Sequence, residues 1–372
     1  MVRDLAREFA NNEIRPKAEY FDHHREFPYE IVARMAELGF MGLPVPEEYG
    51  GAGADTLTYA VAVEEIARGD ASVGITMAAH TSLGTMPFLL FGSEAQKRDY
   101  VPPLAAGEKL WSFGLTEPNA GSDAGATRTR AELCEGEWTI NGVKAFITNS
   151  GTRISGGVTI TAVTGKGADG KREISNIIVP TGTPGYQVSK DYDKMGWRAS
   201  DTHELAFADA RVPESNLLGP RGQGLRQFLE ILDGGRISVA ALSVGLAQAA
   251  FDASFTYAKE RTQFGQPISK FQAIQFKLAD MASEIEMARL LTYKAAWLKD
   301  QGRDFRMAAG MAKLYAGETA RHACNNAIDI HGGYGVMEEF PVARYWRDVK
   351  IHEIGEGTPE IQRSVIARLL GA

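Results

Sequence analysis

Cysteine is almost absent from this chain: Cys134 and Cys324 are the only two, far apart and in no CxxC spacing. No disulfide framework and no zinc-ligand set follows from them, so no metal site is expected and a reducing compartment fits. Positive charge is also short, with 40 Lys and Arg against 47 Asp and Glu, a net charge of −7 and a sequence pI near 5.6. That balance provides no broad basic surface to neutralise a phosphate backbone, so nucleic acid is not expected as a ligand. Long apolar runs are missing as well. The nearest, Ile237 to Phe251, is interrupted by Ser238, Ser243 and Gln248 and bounded by Arg236 and Asp252. It reads as a buried core helix, and no membrane insertion is expected. The N-terminus passes directly into a charged amphipathic helix, without the apolar segment and cleavage site of a secretory signal, so export is disfavoured.

What remains is an ordinary globular composition, 44% hydrophobic and 23% charged over 372 residues, enough for two or three packed units. Residues 1–110 carry apolar positions three and four apart, broken by Gly/Pro-rich loops, and read as an all-helical domain. Residues 111–222 turn to short β-branched and aromatic runs. Strand candidates are Gly157–Thr164, Ser175–Pro180 and His203–Ala208, and Asn141-Gly142 between two alternating runs is a hairpin signal. This middle domain is expected to be a small antiparallel barrel or sandwich. Residues 223–372 return to long helices, one with a bundle seam of Phe271, Ile274, Leu278, Met281, Ile285 and Ala288. The fold class is therefore α+β and mostly α, with a β unit sandwiched between two helical ones and a cleft where three surfaces meet.

Within that cleft-forming order one acidic residue stands out locally. Glu356 lies between Gly355 and Gly357, which allow a tight bend, and Thr358, Pro359 and Glu360 read as the N-cap, first position and first turn of a helix. The carboxylate is thus expected on a short turn between two helices. Taken alone, a glutamate between glycines is most often an exposed loop residue.

Two long motifs change its meaning. The run Phe113-Gly-Leu-Thr-Glu-Pro-Asn-Ala-Gly-Ser-Asp-Ala-Gly resembles the first signature of the acyl-CoA dehydrogenase family, and the run from Asp329 to Asp348, beginning Asp-Ile-His-Gly-Gly-Tyr-Gly, is similar to the second. Between them Phe146-Ile-Thr-Asn resembles the strand that covers the flavin ring, and Arg261-Thr-Gln-Phe-Gly-Gln-Pro-Ile resembles the segment that reaches a neighbouring subunit's cofactor. The resemblance spans essentially the whole chain. It implies an N-terminal helical domain, a middle β-domain and a C-terminal four-helix bundle, assembled as a homotetramer built from dimers.

For function, the resemblance implies an FAD-dependent enzyme that oxidises an acyl-CoA to the trans-2-enoyl-CoA in fatty acid or branched amino acid breakdown. Glu356 stands where most members place the base; others carry it on an earlier helix, just before the arginine that is Arg236 here, but this sequence has Gly235 there. The carried-over cofactor contacts are Phe113, Leu115, Thr116, Ser122, Phe146, Thr148, Thr358 and Glu360. Toward the neighbouring subunit they are Arg261, Gln263, Phe264, Gln272, Asp329, Gly332 and Gly333. An arginine fork such as that of Arg261 suits a pyrophosphate. Ser122, Asp233, Arg236, Gly357 and Arg368 are the substrate candidates. Electron-transferring flavoprotein is the implied acceptor. The implied location is cytoplasmic in a prokaryote, or the mitochondrial matrix for a processed eukaryotic chain.

Three positions depart from the commoner family pattern: Asp329 for Gln, Phe146 for Trp, and Gly355 for Tyr. Runs beginning at Glu64, Phe91 and Phe271 resemble the short-chain, butyryl-type branch. A rival reading is a flavin oxidase that passes electrons to oxygen, although such oxidases are usually longer. Another is a non-catalytic acyl-CoA binder, against which the presence of Glu356 counts.

Overall fold

The computed structural model describes residues 1–167 and 170–372. Seven α-helices come first: α1 (Val2–Phe9), α2 (Arg15–His24), α3 (Tyr29–Glu37), α4 (Thr56–Gly69), α5 (Ala71–Ala78), α6 (Met86–Phe91) and α7 (Glu94–Ala105). Short polar side chains cap three of them. Asp55 Oδ1 accepts from Thr58 N at 2.7 Å to open α4, Asp70 Oδ1 accepts from Ser72 N and Val73 N to open α5, and Ser93 with Gln96 forms a reciprocal box at α7.

Among the described residues the strands that follow are β1 (Leu110–Gly114), β2 (Arg130–Cys134), β3 (Glu137–Thr148), β4 (Ser155–Lys166), β5 (Arg172–Pro180), β6 (Tyr186–Asp191), β7 (Thr202–Pro213) and β8 (Leu217–Leu218). They form one sheet in the order β6-β7-β3-β2-β4-β5-β8, with β1 added beside β4. The sheet is mainly antiparallel, but β1 runs parallel to β4, and β2 touches β4 in parallel through Arg130 and Val163. All three strand candidates lie inside longer strands, because alternation with the sheet core continues beyond the residues that signalled it.

The expected hairpin at Asn141-Gly142 is a correction. Those residues lie inside β3, where the register with β7 slips between Ile140 and Gly142. Asn141 spends its amide on Asp209, donating to Oδ1 at 2.9 Å and accepting from the Asp209 N–H at 2.9 Å. Gly142 lies so close to β2 that an added Cβ would meet Thr129 Cα at 2.7 Å. The pair therefore lies opposite a bulge whose extra residue is on β7, where Ala208 and Asp209 (φ 50°) together face Asn141, and Gly142 permits close backbone approach. The two-residue hairpin turn is Glu135-Gly136, both at positive φ (51° and 80°), joining β2 to β3.

Four long or packed helices and a short one complete the chain: α8 (Gly224–Glu260), α9 (Gln272–Asp300), α10 (Arg306–His331), α11 (Pro341–Ile354) and α12 (Pro359–Leu370), with a two-strand ribbon, β9 (Thr262–Gln263) and β10 (Gln266–Pro267), between α8 and α9. Of the expected seam on α9, Leu278, Met281, Ile285 and Ala288 are buried, and Phe271 and Ile274 pack against the same core. By length and composition Ala71–Phe91 and Gly224–Glu260 are apolar enough to cross a membrane, which corrects the expectation that no stretch is; 83% and 78% of their most apolar windows are buried inside the protein.

The arrangement of the blocks also differs from a sandwich. One hydrophobic core joins Ile66, Val63 and Ala67 of α4 to Leu242, Val244 and Ala247 of α8 and Ala316 and Ala320 of α10, so the two helical blocks are fused rather than separated by the sheet. The sheet has its own core around Trp138, Ile160, Ile177 and Leu205. A third cluster, Phe88, Leu104, Trp111, Ile178 and Leu218, seals the sheet to the first helices. The reason is apolar width: α8 is buried nearly all round between Gly235 and Ala250, so it needs partners on every side.

Candidate active site

Glu356 occupies the four-residue turn between α11 and α12, with φ of 54° in the left-handed region, followed by Gly357 at φ 105°. A bulky L-residue in that region stores strain, and such strain gathers at functional positions. Thr358 caps α12 by accepting the Ile361 N–H, with Pro359 and Glu360 in its first turn. Two buried side chains hold the turn from below. Lys313 Nζ on α10 donates to the Glu353 carbonyl at 2.7 Å and the Gly357 carbonyl at 2.6 Å; Gln362 Nε2 donates to the carbonyls of Glu356 at 3.3 Å and Gly357 at 3.2 Å.

The carboxylate itself is treated differently. The residue as a whole is partly exposed, but both carboxylate oxygens are buried and have no hydrogen-bond partner among the described residues. Burial pushes its pKa up to about 7, against the opposing pull of Lys313 and Arg236. Among the described residues its backbone N–H has no partner either.

Gly235 of α8 lies directly against this group. An added Cβ there would overlap Glu356 Oε2 and come within 3.2 Å of Leu83 Cδ2. One carboxylate occupies the space, and a side chain at 235 would exclude it. Next along α8, Arg236 is buried and paired with Asp233, with its Nε unpartnered. The partly exposed Leu83 belongs to a π-helical stretch, Ala79–Thr85. On the other side of the turn, a Cβ at Gly355 would meet only Ile351 O at 3.2 Å and Trp197 at 3.8 Å.

A second group of candidates lies on the sheet. Phe146 sits in a break of the β3–β7 register at φ 60°, which turns its ring outward to 64% exposure against Tyr192 at 5.0 Å. The segment from Tyr192 leads to Trp197, whose ring lies 5.2 Å from that of His352 on α11 and beside Gly355. Sheet and base turn are therefore adjoining. Thr148 ends β3, and the next residue, Asn149, donates to Thr76 O on α5 at 3.0 Å. Phe113 of β1 stacks on Phe228 of α8 with centroids 3.9 Å apart. Leu115 is buried, the Thr116 carbonyl accepts the Ala145 N–H at 2.9 Å, and Ser122 is exposed.

A third group forms a separate patch. Arg261, Gln263, Gly332 and Gly333 line one concavity of about 580 Å³ with Tyr257, Tyr334 and Met337. Nearby Phe264 stands 94% exposed at φ 50°, and Gln272 is exposed at the start of α9. Asp329 is held by Lys277, at 2.7 Å, so its charge is neutralised from α9. Arg368 is not gathered with the other substrate candidates by any contact; it lies exposed in the last turn of α12, about 15 Å along the helix from Thr358.

Sequence reading passed over Lys313, Gln362 and the Glu117–Lys144 pair. Glu117 lies in the first signature run, buried, and accepts from Lys144 Nζ at 2.8 Å, Arg128 N at 2.7 Å, Thr129 N at 3.0 Å and Thr127 Oγ1. A signal existed for both lysines. Lys313 interrupts the buried stripe Ala309, Ala312, Ala316, Ala320 of α10, and Lys144 shares the inward parity of Trp138 and Ile140 on β3.

Residues 1–108, 112–210 and 222–371 match in turn the N-terminal, middle and C-terminal domains of acyl-CoA dehydrogenases. Over 370 residues the chain is 58% identical to the probable acyl-CoA dehydrogenase YngJ of Bacillus subtilis (strain 168), covering 100% of this chain and 97% of that one. The structure of butyryl-CoA dehydrogenase from Megasphaera elsdenii superposes with a TM-score of 0.96 at 44% identity, over 100% and 97% of the two chains. An acyl-CoA dehydrogenase from Bacillus anthracis complexed with FAD gives 0.93 at 34% identity, over 100% of this chain and 66% of that one. The chain belongs to the acyl-CoA dehydrogenase family. It is an enzyme, a flavoprotein oxidoreductase with FAD as cofactor, and acyl-CoA is its class of substrate. Its own residues are compatible with that cofactor: the Phe146 ring faces outward and Arg261 lines an open concavity.

Proposed function

We propose that this enzyme oxidises a short-chain acyl-CoA to the trans-2-enoyl-CoA, with Glu356 as the base that takes the α-proton. The observation that carries the reading is a carboxylate with both oxygens buried, no hydrogen-bond donor, and a pKa near 7. An α-proton beside a thioester is weakly acidic, and a base matched to neutral pH removes it best. No donor holds the oxygens, so none has to be given up when the proton arrives. The Glu356 N–H is suited to the thioester oxygen, where negative charge grows as the proton leaves. FAD, when bound, supplies the acceptor for the hydride that departs from Cβ, and the electron pair of the broken Cα–H bond becomes the new double bond.

Phe113, Leu115, Thr116, Ser122, Phe146, Thr148, Thr358 and Glu360 are assigned to FAD in the same chain. Arg261, Gln263, Phe264, Gln272, Asp329, Gly332 and Gly333 are assigned to the cofactor of a neighbouring subunit, in a homotetramer built from dimers. Exposed apolar residues support that assembly: Phe264, and Phe276, Met287, Leu290 and Trp297 along α9, would otherwise face water. Asp233, Arg236 and Gly357, with Ser122 and Arg368 as outlying contacts, serve the acyl-CoA. Gly355 leaves room beside the base, and electron-transferring flavoprotein is the expected acceptor.

The test is a panel of acyl-CoA thioesters followed by bleaching of the flavin absorbance, repeated with Glu356→Gln. Short chains should bleach the wild-type protein fastest, and the variant should bleach with none of them. Unchanged bleaching in the variant refutes the assignment of the base.

A further inference from the structure

Lys313 is the one cation set inside the core of α10. It is 1% exposed and stands on the stripe that otherwise consists of Ala309, Ala312, Ala316, Ala320 and Ala323. Burying an ammonium is costly unless it is compensated, so its partners are informative. Among the described residues it has no ion-paired carboxylate. Its Nζ donates instead to two main-chain carbonyls, Glu353 O at the end of α11 and Gly357 O just past the base, and so brackets Glu356. Gln362, itself fully buried, donates to the carbonyls of Glu356 and Gly357 from α12.

We infer that Lys313 is a positioning residue for the reaction: its two bonds hold Glu356 in its left-handed turn against Gly235, and its charge beside the carboxylate sets how readily that carboxylate takes a proton. The inference rests on Glu356 as the base. Two independent features carry it. The strained φ of Glu356 persists only if its surroundings over-determine it, and Lys313 supplies bonds on both sides of the residue. The Lys313 charge also pulls the carboxylate pKa down without donating to it, since among the described residues both carboxylate oxygens lack a donor.

The groups that face Glu356 electrostatically are Lys313 from α10, Arg236 from α8, and the buried Tyr59 from α4. Arg236 is engaged by Asp233, and the hydroxyl of Tyr59 donates to Ala78 O. On α11, Glu353 is paired with Arg321 and Lys350, and His352 is kept neutral by burial, with its pKa lowered to about 3. Lys313 is itself lowered to about 8 by burial, which leaves it charged at neutral pH. Of the two cations, it is the one that also grips the turn.

The test compares flavin-loaded wild type, Lys313→Met, Gln362→Met and Glu356→Gln in anaerobic bleaching by butyryl-CoA across the neutral pH range. Removing the Lys313 charge should raise the midpoint of the pH profile by about one unit and slow bleaching about tenfold below it, with substrate affinity little changed. Gln362→Met removes donors to the same turn but no charge. It should slow the reaction without moving the midpoint, which separates a tuning role from a merely structural one. Lys313→Gln, which keeps a donor but not the charge, replaces the methionine variant if that one does not fold. If Glu356→Gln is silent while the profile of a folded Lys313 variant coincides with wild type, the inference about Lys313 is overturned alone. If Glu356→Gln bleaches normally, the base assignment falls first and takes the inference with it.

Discussion

Among the described residues, one buried glutamate and lysine in the sheet and another in the helical turn behave in opposite ways. In the sheet, Lys144 Nζ donates straight to Glu117 Oε1, and also to Leu115 O, Thr127 Oγ1 and Thr161 Oγ1. Burial alone would raise Glu117, but the Lys144 charge and the donors around it outweigh burial and bring its pKa to about 2. In the helical turn, Lys313 donates to backbone carbonyls and leaves the Glu356 oxygens bare, so burial wins and the pKa rises to about 7. Both lysines are lowered to about 8 by burial. The difference therefore lies in which protons each carboxylate receives, from the lysine and from the groups around it, not in the residue types. A carboxylate that receives hydrogen bonds becomes a fastener; one denied them becomes a base.

The largest effect that would break this contrast is at the fastener. Lys144→Met strands a buried Glu117 charge, and the expected cost is about 3–5 kcal/mol. It should appear as a lower thermal unfolding midpoint and lost FAD, because Lys144 ties the Leu115 carbonyl, beside Thr116, to β3. The double variant Glu117→Leu with Lys144→Met should recover much of the midpoint. No recovery would mean that the pair does not act as a unit.

A smaller stability effect with a large kinetic one is expected at Gly235. In Gly235→Ala the new methyl group overlaps the mobile end of Glu356, so the protein should fold and bind FAD while the base is displaced. Bleaching should slow about 100-fold, the order expected for a misplacement of about 1 Å. Wild-type bleaching would show that the base is not where its proximity to Gly235 implies.

The smallest effect is in stability against pH, and the two glutamates should give opposite signs. Glu117 has a folded pKa below its ordinary value of 4.5, so its contribution is present above about 4.5 and is lost as pH falls toward 2. Glu356 has a folded pKa above 4.5, so its ionisation costs stability: the cost is absent below about 4.5 and complete above about 7. Glu356→Gln should therefore raise the unfolding midpoint in mildly alkaline buffer, by about 2 °C per kcal/mol relieved, and leave it unchanged in mild acid. A midpoint that falls at both pH values would show the carboxylate to be stabilising, and the contrast with Glu117 would fail.

Much of the fold was legible because apolar periodicity reports burial. The α9 seam and the cap of α12 at Thr358 were readable in this way, and so were parts of β4, β5 and β7. Asn141-Gly142 was misread because the local pattern suits both a turn and a strand facing a bulge, and Asp209 and Thr129, distant in sequence, decide between them. The fusion of the helical blocks was equally hidden. Periodicity gives the width of an apolar face on α8 but not the identity of its partner.

By itself, the sequence determined that Glu356 sits on a short glycine-flanked turn, that Gly235 bears no competing carboxylate, and that motifs resembling those of a flavin-dependent dehydrogenase lie in order along the chain. Only the tertiary structure decided what each acid does. Proton affinity depends on the donors within about 3 Å and on water exclusion, and both are supplied by residues far away in sequence. Lys144 reaches Glu117 across 27 positions and Lys313 reaches the Glu356 turn across 44, and only the folded chain fixes which atoms they meet.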